Sequence, residues 1–161
     1  MLALLIWMKK ILKWILCMLL VVFTLLQFTN PARTNPPVVQ DLMVTNVPPP
    51  HVATLLLAAC YDCHSNETKW PWYSRIAPAS WLVVKDVVDG REHLNLSDWP
   101  ADNPTRAAKR LDRMSEEIDY HQMPPKKYTL LHADARLTDT DCKELITWLD
   151  AEAERLRAST K

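Results

Sequence analysis

The chain has 161 residues, with 19 lysines and arginines against 19 aspartates and glutamates, so it lacks the basic field that binds nucleic acid. Gly90 is the only glycine; phosphate-cradling and dinucleotide loops need several, which excludes a nucleotide site of either kind. Four cysteines, twelve prolines and seven tryptophans are the informative residues of the composition.

The N-terminal segment reads as a membrane element. In "MKKILKWILCMLLVVFTLLQF", Lys9, Lys10 and Lys13 precede an apolar run from Trp14 to Phe28. A helix from Ile11 to Phe28 would span roughly 27 Å at about 1.5 Å per residue, near the thickness of a bilayer core, and Lys13 can snorkel to the headgroups. No acidic residue occurs before Asp41, so the positive-inside rule predicts a cytoplasmic N-terminus and an exported remainder. Ala32 preceded by Asn30 is a poor signal-peptidase site. Residues 1–28 are therefore expected as an uncleaved anchor, with a cleaved signal as the alternative. Cys17 follows Leu16, a poor lipidation context, and is expected as a small apolar residue facing lipid. A Met-Lys-Lys opening is the usual form of such a segment, which suggests Met8 as the start, a point that sequencing the native N-terminus would decide.

Residues 29–50 hold Pro31, Pro36, Pro37 and Pro48 to Pro50 among Asn and Thr, and are expected as an extended, semi-rigid spacer. Residues 51–157 are expected as the domain, mildly acidic once Lys9, Lys10 and Lys13 are set aside. Four helical patterns run through it. Val52, Leu55, Leu56 and Ala59 recur at helical spacing and lead into Cys60. In "ASWLVVKDVVDG", Trp81 or Leu82 joins Val84, Val87 and Val88 on one side, with Gly90 as a C-terminal stop. A third helix has Asn103 as cap, Pro104 in its first turn and a stripe of Ala107, Leu111, Met114 and Ile118. The last opens at Thr138, with Asp139 and Asp141 in its first turn and a stripe of Cys142, Leu145, Ile146, Leu149 and Ala153. No segment alternates as a strand would. The expected fold class is all-α, a small helical domain behind an N-terminal transmembrane helix.

The chemistry lies in "CYDCH", which puts Cys60, Cys63 and His64 in one helical turn. A structural zinc site needs four ligands, usually two such pairs, and only Cys142 remains in the domain, on an apolar stripe. A thioredoxin-like pair would sit at a strand-to-helix junction. A disulfide across two residues closes too short a loop to stabilise much. Covalent haem c requires two thiols one turn apart for the two vinyl groups and the adjacent imidazole for iron, which is the pattern present. An exported location suits that attachment. Cys142 then reads as a buried free thiol.

Three residues compete for the sixth iron position. Met123 precedes Pro124 and Pro125, which stiffen its loop just before the final helix, as in small cytochromes c; a thioether there raises the reduction potential relative to a second imidazole. His121 is expected at the surface, and His132, after an apolar pair, as a hydrogen-bonding residue. Met123 is the preferred ligand. Trp70, Trp72, Tyr73 and Trp81 are either porphyrin-lining rings or ordinary core. Arg75 and Lys69, possible partners of haem propionates, are expected in solvent. "GREHLNLSDW", with His93, is expected as a packed connector.

"CYDCHSNETKWPWYSRIAPASWL", "GREHLNLSDW" and "MPPKKYTLLHADARLTDTD" together resemble the bacterial haem-binding domain family, small and often membrane-anchored proteins built around one CxxCH. The resemblance covers roughly residues 48–150. It implies one covalent haem c attached through Cys60 and Cys63 and ligated by His64, and it supports Met123, which precedes the "YTLLH" block. Ordinary cytochromes c carry a glycine in the first helix and this chain does not, so the packing of its first and last helices is expected to differ.

The expected function is that of a membrane-tethered monohaem cytochrome, passing single electrons on the outer, periplasmic side of the cytoplasmic membrane to an unidentified redox protein. It is expected not to be an enzyme. A haem-based gas or redox sensor with an open or labile sixth site is the alternative. A peroxidase-like enzyme ranks last, because the sequence names no distal acid–base pair.

Overall fold

The computed structural model describes residues 2–160; Met1, the first residue of the expected anchor, lies outside them. Every regular element among the described residues is helical, apart from one isolated bridge between Gln40 and Asp98. In chain order the helices are α1 (Leu2–Leu26), α2 (Leu42–Asn46), α3 (Pro50–Ala59), α4 (Tyr61–His64), α5 (Ala79–His93), α6 (Pro104–Asp119), α7 (Lys126–Leu131) and α8 (Asp139–Ala158). The all-α expectation holds. The chain divides into two compact units, one of Met1–Arg33 with Trp70–Lys85 and one of Thr34–Lys69 with Asp86–Lys161.

The first unit is dominated by α1. Leu5–Thr29, 25 residues, is long and apolar enough to cross a membrane. Its large side chains are exposed all round, Trp7, Trp14, Leu20 and Phe28 among them, which in water would leave a large apolar surface unburied. The chain beyond it is tied down by polar groups. The Gln27 side chain accepts from the Ala77 amide at 3.0 Å and donates to the Ala77 carbonyl at 3.2 Å. Ser80 donates to the Asn30 side chain, and Arg33 to the Ser74 carbonyl at 3.0 Å.

The second unit is built on the pairing of α6 with α8, against which α3 packs. Asn103 caps α6 by accepting from the Arg106 amide at 3.0 Å, and Pro104 occupies the first turn, where its missing N–H costs nothing. Thr138 and Asp141 form a reciprocal capping box on α8. The facing stripes are Ala107, Leu111, Met114 and Ile118 on α6, and Leu145, Leu149 and Ala153 on α8, all buried; Cys142 and Ile146, also expected in the α8 stripe, are half-buried against the same core. Val52, Leu55 and Leu56 from α3, with Leu42, Tyr61, Leu96 and Trp99, complete the core. Truncating any of Leu56, Leu111, Leu145 or Leu149, each fully buried, would cost about 2–5 kcal/mol.

The structure departs from expectation at three places. α5 does not stop at Gly90 but runs through it to His93, and only Val84 and Val87 of the expected stripe are buried, with Trp81, Leu82 and Val88 exposed. Residues 29–50 are mostly extended, yet they are hydrogen-bonded along their length rather than free: Val39 and Gln40 both donate to the Ser97 carbonyl, Leu42 donates to Leu96, and α2 buries Leu42 completely. Asp41 makes that short helix possible by accepting from the Met43 amide at 2.7 Å. Finally, α7 is a helix that the sequence pattern did not announce, because none of its residues is buried.

Candidate functional site

The site is built where α3 gives way to α4. Cys60 donates its amide to Leu56 at 2.9 Å, closing α3, and its own carbonyl then accepts from Cys63 at 3.2 Å and His64 at 2.9 Å. Residues 60–64 thus form one closed helical turn, with Cys60 and Cys63 three apart and on the same side. Both thiols are half-buried and neither is in a disulfide. Burial, with Cys63 nearby, pushes the Cys60 thiol up to about 12. Burial followed by the Asp86 and Asp62 charges pushes Cys63 up to about 11. A raised thiol is a poorer nucleophile at neutral pH than the lowered thiolate of a dithiol redox pair. Among the described residues, no three His, Cys, Asp or Glu side chains are grouped to hold a metal ion.

His64 is oriented by α5. Its Nδ1 lies 2.9 Å from the Gly90 carbonyl and 3.0 Å from the Leu94 carbonyl. Nδ1 therefore carries the proton and donates, which leaves the Nε2 lone pair available. The last turn of α5 can come this close because residue 90 has no side chain: a Cβ there would lie 2.6 Å from the Cys63 carbonyl oxygen. Leu96 donates to the His64 carbonyl at 2.7 Å. Arg91 reaches the Ser65 carbonyl at 2.7 Å, the Thr34 carbonyl at 2.8 Å and the Asn35 and Thr68 side chains at 3.0 and 2.8 Å, fastening the chain that leaves the turn.

The two residues between the cysteines are anchors, a role their spacing did not reveal. Tyr61 is buried and donates to Asp41 at 2.8 Å. Asp62 accepts from the Lys69 amide at 3.0 Å through one oxygen and from the Tyr128 hydroxyl at 2.9 Å through the other. Tyr128 also reaches the Ala58 carbonyl at 3.3 Å, and Lys127 pairs with Asp86 at 2.7 Å. These contacts set α7, which follows the Met123-Pro124-Pro125 loop, against the elements that carry the thiols and the imidazole.

The three contenders for a sixth ligand are placed differently. Met123 is 38% exposed, its amide bonded to the Glu117 carbonyl at 3.1 Å. His121 is exposed with φ of 53°. His132 stacks on the Tyr128 ring at 4.0 Å between centroids and points Nδ1 at the Tyr128 carbonyl, 3.0 Å away. Trp70, Trp72, Tyr73 and Trp81 fall in the first unit, where Trp72 meets Tyr73 edge-on at 5.8 Å. Arg75 and Lys69 are exposed, as expected, and Cys142 is half-buried against the core. A groove of about 530 Å³ between Pro36–Pro37 and the α5 residues Val88, Arg91 and Glu92 includes none of Cys60, Cys63 and His64.

One side chain above all makes these residues fit a haem. An imidazole whose Nδ1–H is held by backbone carbonyls, leaving Nε2 to bind, is how proteins present a histidine to a metal. Exposed apolar side chains of the same unit, Leu57 one turn before Cys60 and Leu130 and Leu131 on α7, would gain from a large flat apolar cofactor.

Comparison with known proteins agrees. Residues 21–151 match the model of the haem-binding domain family. The chain is 28% identical over 104 residues to the cytochrome c peroxidase Ccp of Escherichia coli strain K12, a match covering 62% of this chain and 22% of that protein. The chain thus spans about a fifth of the length of that relative. No solved structure matches. The chain belongs to the haem-binding domain family, and its cofactor is a haem.

Proposed function

We propose that the protein is a membrane-tethered monohaem c-type cytochrome that passes single electrons on the outer side of the cytoplasmic membrane. Cys60 and Cys63 hold one haem through thioether bonds, His64 binds its iron through Nε2, and Met123 supplies the sixth ligand. Bound in this way, the haem supplies a reversible one-electron couple. The observation that carries the reading is the His64 Nδ1 contact with the Gly90 and Leu94 carbonyls, made on the same turn as the two thiols. α1 serves as the tether. Lys9, Lys10 and Lys13 with no acid before Asp41 keep the N-terminus cytoplasmic and put the haem on the periplasmic side. With both axial positions filled, the protein makes and breaks no substrate bonds, and its partner is another redox protein.

A second reading draws on the likeness to a protein named a cytochrome c peroxidase and on the partial exposure of Met123. In it the sixth position is open or labile, and the domain senses a small ligand or acts on peroxide.

The visible spectrum of the matured protein, as wild type and as Met123→Ala, separates the two. The carrier reading expects the far-red charge-transfer band of a methionine sulfur on ferric iron, lost in the variant. A high-spin spectrum indifferent to Met123 would remove the carrier reading. Rapid carbon monoxide binding by the ferrous form, with or without peroxide turnover, would then divide sensor from enzyme.

A further inference from the structure

We propose that Tyr128 is the positioning residue of the sixth iron position, acting as a latch that keeps Met123 seated; this rests on the assignment of Met123 above. The starting point is that α7 has no buried residue. Leu130 and Leu131 are 73% and 65% exposed, so the protein's own apolar packing contributes little to holding this helix in place. Polar contacts hold it instead. Tyr128 donates to Asp62 at 2.9 Å, and Lys127 pairs with Asp86 at 2.7 Å. Arg136 fastens the far end through the Thr129 carbonyl at 2.8 Å.

Both landing points belong to the site. Asp62 is the residue before Cys63, inside the turn that carries the thiols and the imidazole. Asp86 lies one turn before Gly90 on the helix that orients His64. The Tyr128 ring is itself fixed by stacking on His132. Met123 is joined to α7 through Pro124 and Pro125, whose rings fix φ and leave little slack. A displacement of α7 is therefore passed on to Met123. An element held mainly by partly exposed polar bonds is the kind that opens first in a native protein. Loss of the Tyr128 hydroxyl, which reaches both Asp62 and the Ala58 carbonyl, would loosen α7 and with it Met123, so this hydroxyl tunes how firmly the sixth position is held.

The test uses the full chain matured with haem c, as wild type, Tyr128→Phe and Asp62→Asn. Tyr128→Phe keeps the ring and its stack and removes only the hydroxyl. Expected are an unchanged content of covalent haem, loss or weakening of the far-red methionine band, and carbon monoxide binding to the ferrous form faster by about tenfold, the worth of one hydrogen bond to a carboxylate. Amides of residues 126–131 should exchange faster with solvent, a readout independent of the iron. Asp62→Asn tests the same bond from the other side, should the first variant fail to mature, and the two effects should not add. A wild type with the methionine band and a Tyr128→Phe variant matching it in band and carbon monoxide rate would overturn the latch alone. A wild type without the band overturns Met123 as ligand, and the latch with it.

Discussion

Gly90 sits directly against Cys63, so close that a Cβ on residue 90 would fall 2.6 Å from the Cys63 carbonyl oxygen and 3.3 Å from its Cβ. A single residue thereby does two things: its missing side chain lets α5 cross the CxxCH turn, and its carbonyl accepts from His64. The neighbour that would have to yield is backbone within a closed helical turn, and cannot give way cheaply.

This contact reverses the usual sign of a glycine-to-alanine change within a helix. In an open helix Gly→Ala stabilises by about 0.5–1 kcal/mol. Here Gly90→Ala should destabilise the haem-free protein by about 1–3 kcal/mol, as overpacking does. Urea denaturation of the two proteins checks it; a variant as stable as wild type or more so would show that α5 does not press on Cys63.

A second prediction concerns acid. Glu152 is buried and accepts from Asn46 at 2.5 Å and from Arg155 at 2.7 and 2.5 Å. Burial alone would raise its carboxyl, but the bonds from Arg155 and Asn46 outweigh it and hold the group below its ordinary value of 4.5. A depressed folded value favours the native state above the unfolded carboxylate range and loses that contribution as pH falls. Thermal stability should therefore decline below about pH 4.5 more steeply in wild type than in Glu152→Gln. Parallel declines would mean that this cluster contributes nothing to acid sensitivity.

Which features were readable in the sequence follows from the range over which each is determined. α6 and α8 were legible because their caps and stripes are local: Asn103 and Pro104 mark one start and Thr138 and Asp141 the other. The helical turn joining Cys60, Cys63 and His64 was legible because its backbone hydrogen bonds close within five residues. Gly90 was misread as a helix stop because the same residue type serves chain ends and close crossings, and only the partner, Cys63, tells them apart. The anchoring roles of Tyr61 and Asp62 depend on Asp41 and Tyr128, far along the chain in opposite directions. α7 escaped notice because its docking is polar, so it leaves no hydrophobic period. The spacer was read from its prolines, whereas the Arg91 bonds to Thr34 and Asn35 and the fully buried Leu42 make much of it part of the fold.

The measurement that tests the central claim most directly is the intact mass of the full chain, produced with haem c maturation and stripped with acidified acetone, as wild type and as Cys60→Ala/Cys63→Ala. The wild type should carry the mass of one haem that the solvent does not remove, with a pyridine haemochrome spectrum typical of two thioether bonds, and the double variant should carry none. A wild type that gives up all its haem to the solvent, or a double variant that keeps it, would contradict attachment at Cys60 and Cys63.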